Sequence, residues 1–186
     1  MQKRPEKSLL TADSPFGSKL PREPKSFGVS DTVLFRQALA DSDSSVRAWG
    51  ARELATLIPT DDLFRSTTTN ICVLLVDPDK NLHELLGNIS LLGELKKIEA
   101  IDTLKLAIET NIYDVSHTAL TALEKILRPI DFKSMSSSDL QKIKIALNSI
   151  RTTLLRAKSF EVQRSSLTNY SHRIGMIFVD RPLSEL

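Results

Sequence analysis

The chain has 186 residues, a net charge of +2, 41% hydrophobic but only 5% aromatic residues, and six glycines. That is enough chain for one domain, or a domain with tails, whose core is built from Leu, Ile, Ala and Val in the manner of stacked helices. A single cysteine, Cys72, excludes an internal disulfide and fits a reducing compartment; with no run of 18 apolar residues and no apolar stretch of signal-peptide length after Met1, the expectation is a cytoplasmic protein without a membrane span.

The charge is unevenly spread. Residues 1–29 carry six Lys/Arg and three Asp/Glu, residues 30–133 eleven and sixteen, and residues 134–186 eight and four. An acidic body is thus flanked by basic ends, which either steer toward an acidic partner or keep tails soluble. Residues 1–29 hold Pro5, Pro15, Pro21 and Pro24 without apolar periodicity, and read as a disordered, flexible arm. Within it Ser14-Pro15-Phe16-Gly17 and Lys25-Ser26-Phe27-Gly28 each offer one aromatic ring, as docking points for a partner or, for Phe27, as a cover for the first helix.

Helical spacing begins after Asp31, a candidate N-cap, with Val33, Leu34, Ala38 and Leu39. A turn over residues 41–44 leads to a second helix from about Ser45 to Ile58, closed by Pro59, with small residues at 50 and 51 letting the two helices approach. The second hairpin opens at Thr60-Asp61-Asp62 and turns at Asp77-Pro78-Asp79, 36 residues after Asp41. Aligning Leu54 with Leu92 gives 38 instead, which predicts a two-residue slip within the second helix of this hairpin. In the third hairpin Val115 minus Val46 and Leu123 minus Leu54 both equal 69, in register at two points.

After Pro129, Ser138-Asp139-Leu140-Gln141 fits a capping box with Ser138 as N-cap. Leu140, Ile143, Leu147, Ile150 and Leu154 then step by 3 and 4 along a capping helix to about Lys158, with Lys144, Arg151 and Lys158 along one border. Residues 159–186 form a tail whose apolar window, 174–179, either docks on the repeats or adds to a partner as a strand or helix.

The order in residues 38–57, an apolar helix end, Asp41-Ser42-Asp43, Val46-Arg47, two small residues and Leu54, resembles the HEAT repeat, particularly its short, phycobilisome-lyase-like form; Leu92-Gly93-Glu94-Leu95 with residues 98–104 is similar to the linker and first helix of that form. The resemblance covers about residues 31–128. It implies an all-α fold, an α-α superhelix or solenoid of about three hairpins over residues 30–158. It also implies that the turn acids Asp41, Asp43, Asp77 and Asp79 and the arginine Arg47 tie turn to helix and repeat to repeat, with Arg47 bridging toward Asp41 or Asp77. His83 and Ser116 stand where arginine would recur, so the ladder is expected to break there.

No chemistry-bearing motif stands out. His83, His117 and His172 lack partners at metal-ligand spacing, and neither a Gly-rich phosphate loop nor Gly-x-Ser-x-Gly occurs, so no catalytic residue, metal or cofactor is expected. Trp49 lies near Arg52, Glu53 and Thr56 on the second helix, either wedged against the first helix or displayed as an anchor; if displayed, these four mark the partner-binding face. Function therefore reads as a non-enzymatic adaptor, scaffold or assembly factor binding another protein. A chromophore-handling role rests on the lyase-like resemblance alone, and an induced visible band with a bilin would test it. Nucleic-acid binding ranks last because residues 30–133 are net acidic.

Overall fold

In the computed structural model, described over residues 29–58, 60–110, 112–131 and 134–156, every regular element is helical. In chain order these are α1 (Val29–Ala38), α2 (Ser44–Leu57), α3 (Thr60–Leu74), α4 (Leu82–Leu95), α5 (Ile101–Glu109), α6 (Tyr113–Leu127) and α7 (Ser137–Arg156), with one 3-10 turn (Ile98–Ala100) leading into α5. The fold is all-α, and none of the described helices is long and apolar enough to cross a membrane. The two aromatic pieces of the arm and the window at 174–179 lie outside the described residues. Two units meet in sequence between Glu94 and Leu95.

In the first unit α1 packs against α2 through Phe35, Ala38 and Leu39 on one side and Val46, Trp49, Gly50 and Leu54 on the other, all buried. The short spacing rests on Gly50: a Cβ there would stand 2.8 Å from Ala38 Cβ and 2.8 Å from the Phe35 carbonyl oxygen. Gly87 on α4 does the same for the end of α1, since its Cβ would meet the Leu39 backbone, 2.6 Å from the carbonyl carbon and 2.8 Å from Cα. Both helices therefore approach the last turn of α1 at backbone distance, which only glycine permits. Asp31 is not the cap of α1. It sits inside the first turn, where its charge favours the positive end of the helix dipole.

The slip expected in the second hairpin lies in its turn, not in its helix. Both α2 and α4 have 14 residues. The connection before α2 runs over 39–43, five residues, whereas that before α4 runs over 75–81, seven residues. α4 is buried nearly all round, at Leu85, Leu86, Ile89, Leu91 and Leu92 and also at Asn88, whose side-chain amide donates 2.9 Å to the Glu84 carbonyl. Immediately after α4, Lys96 adopts φ 53°, the left-handed conformation that ends helices and that glycine would adopt with less strain.

In the second unit α5 packs against both α6 and α7. The 69-residue register holds through the whole hairpin: Phe35 and Leu104, Ala38 and Ala107, Leu39 and Ile108, Val46 and Val115, and Leu54 and Leu123 are buried pairs. α7 buries Ile143, Ala146, Leu147 and Ile150, the stripe expected of a covering helix. Its N-terminal contact is two residues earlier than expected, at Ser136 and not Ser138. The Ser136 hydroxyl accepts from the Asp139 backbone N–H at 3.1 Å and donates to its carboxylate at 2.7 Å, so Ser138 is already helical.

Candidate partner-binding surface

Trp49 has to leave the candidate surface. It is only 4% exposed, and its ring meets Phe35 edge-on at 5.0 Å and 79°. Three residues after Val46, it stands about 60° around the helix from that core position, close enough for a ring of its size to reach the same face. The packing alternative is the one the structure adopts, and the edge-to-face pair contributes about 0.5–1.5 kcal/mol beyond area burial. Beyond Ser44 and Ser45 in its first turn, what α2 shows to solvent is Arg52 and Thr56, both exposed, with half-buried Glu53 between them. Thr56 turns its hydroxyl back to the Glu53 carbonyl at 2.8 Å, which leaves Arg52 as the main chemical feature of this face.

The residues expected to tie turns and helices divide into two groups. In the first turn Asp41, itself buried, accepts from the Asp43 N–H at 2.7 Å, and Asp43 accepts from the Ser45 N–H at 2.7 Å as the N-cap of α2. Arg47 then donates to the carbonyls of Asp41 at 2.6 Å and Ser42 at 2.9 Å, tying α2 to the turn that precedes it. Asp77 and Asp79, which have the same spelling in the second turn, are exposed, and among the described residues their carboxylates take part in no hydrogen bond or ion pair.

His83 and Ser116 also part company. His83 has a buried Nδ1 that meets no hydrogen-bond partner among the described residues. Ser116, in contrast, is buried and donates 3.1 Å to the Ile108 carbonyl, a bond within its own hairpin that ties α6 to the end of α5. Even the turn is copied: Thr110 Oγ1 accepts from the Ile112 N–H at 3.3 Å, 69 residues after the Asp41 to Asp43 bond. A short hydroxyl in this tight turn does what a guanidinium does in the wider one.

One surface feature was not expected from the sequence. On α3 the buried positions Leu63, Thr67, Ile71 and Leu74 line one side, while Thr69, Cys72 and Val73 are exposed on the other, followed by Val76. Val73 is 66% and Val76 85% exposed. The signal was present as helical phase: at about 100° per residue, Val73 lies about 160° from Ile71 and about 100° from Leu74.

Among the described residues no group of three or more His, Cys, Asp or Glu side chains is placed to hold a metal ion. No protein-family model, curated protein or solved structure matches this chain.

Proposed function

We propose that this chain is a non-enzymatic adaptor or assembly factor that binds another protein through a surface of HEAT-like helical hairpins. The observation that carries the reading is the way the 69-residue register treats inside and outside. Most of its buried positions keep their class, as in Phe35 and Leu104, Ala38 and Ala107, or Leu54 and Leu123, with Trp49 against half-buried Thr118 as an exception. Its solvent-facing positions do not: Gln37, Arg52 and Thr56 become Leu106, Thr121 and Lys125. A scaffold repeated inside and varied outside presents a surface assembled from several helices, each with its own chemistry.

The test is retention of a cellular protein on the immobilised full chain, compared with the variant Arg52→Glu, Glu53→Arg, Thr56→Asp. The expected result is a protein held about tenfold better by the unmodified chain, as loss of roughly 1.4 kcal/mol of contact would give, with both forms equally helical by circular dichroism. Equal retention by both forms removes α2 as the binding face. No specific retention by either removes the reading.

A further inference from the structure

The second hairpin carries the same Asp-x-Asp spelling as the first but does not use it. In the first turn both carboxylates are engaged by backbone N–H groups and Arg47 ties off the carbonyls. In the second, two residues longer, Asp77 and Asp79 point no hydrogen bond or ion pair at any described residue. The same tip shows Val73 and Val76 to solvent, and over residues 76–84 three exposed acids, Asp77, Asp79 and Glu84, stand against one exposed lysine, Lys80. An apolar pair beside unengaged negative charge complements one kind of ligand: a segment with apolar side chains to cover the valines and Lys or Arg to meet the carboxylates.

We infer that the end of α3 and the turn after it, Val73, Val76, Asp77 and Asp79, form a docking surface for a short basic amphipathic segment of a partner protein. The inference rests on the protein-binding reading above and adds to it a second surface and the chemistry of what lands there. The valines supply the contact area. The carboxylates supply the sign selection, and being solvated they act mainly on partner choice and encounter.

Two synthetic 14-residue peptides with the same leucine pattern, one with lysine and one with glutamate at every polar position, test it on the full chain. The Leu/Lys peptide is expected to bind and the Leu/Glu peptide not to. Binding should weaken at least about fivefold with Asp77→Asn plus Asp79→Asn, with Val73→Ser plus Val76→Ser, or on moving from ~50 to ~300 mM salt. Removing the same charge elsewhere, by Glu99→Gln plus Asp102→Asn, should change it by less than about twofold.

Cys72 is exposed on the same stretch of α3 and is the chain's single cysteine, so its alkylation by iodoacetamide reports occupancy directly and should slow when the Leu/Lys peptide is bound. Binding of both peptides alike, an equal loss with the control pair, or unchanged Cys72 alkylation overturns the inference. A chain that ignores the peptide yet retains an α2-dependent partner loses this tip and keeps its adaptor role; one that takes the peptide at the tip but retains no cellular protein does the reverse.

Discussion

The turns that close the first and second hairpins share Asp-x-Asp and almost nothing else. In the first, the acids cap backbone, Arg47 caps carbonyls, and Asp41 is buried. In the second, two more residues of connection carry the acids outward to solvent, where no described residue engages them. The lesson is that a turn motif works only at its own loop length. Lengthening the connection frees the same side chains for another use without disturbing the helices on either side.

Substitutions can break or sharpen this contrast, from the largest expected effect down. Trp49→Ala, which empties the space against Phe35 just behind the first turn, should cost about 3–5 kcal/mol of stability, read as a lower urea midpoint. A loss under ~1 kcal/mol would mean that Trp49 is not core. Gly87→Ala should cost about 3 kcal/mol, at the upper end for overpacking, because the Leu39 backbone cannot give way as a side chain would.

Asp41→Ala strands the Asp43 N–H and should cost about 1–3 kcal/mol, whereas Asp77→Ala should stay within about 0.5 kcal/mol. Similar losses from both would erase the difference between the turns. Ser116→Ala, which removes the hydroxyl from a buried carbonyl in the third hairpin, should cost about 1 kcal/mol, and Thr110→Val a few tenths, because its bond to the Ile112 N–H is long.

Much of the helical plan was legible in the residues, because apolar periodicity and spacing report burial. The 69-residue register, seen at two positions in the sequence, extends to buried pairs in both helices of the hairpin. Finer choices were not legible, for physical reasons. Three serines in a row, 136–138, are equal as caps by composition, and only the reach of Asp139 selects Ser136.

The helical wheel gave a direction for Trp49, but whether a large ring folds inward depends on Phe35 across the hairpin. The candidate surface was less legible still. Arg52 and Thr56 are exposed, but the exposure of Val73 and Val76 is hidden in a run of apolar residues that resembles core until its helical phase is counted. The acids beside them share the spelling of the first turn, and only the longer connection separates their roles.

The meeting of Gly87 with Leu39 also says something about how the molecule comes into being. Forty-eight positions separate these two residues, so during synthesis the first hairpin emerges from the ribosome well before the helix that will seat against its end. Until residue 87 clears the exit tunnel, that seat stays open to water or to a chaperone. A nascent chain stalled after α2 has emerged and before residue 87 has would carry a complete-looking first hairpin with an unfilled notch.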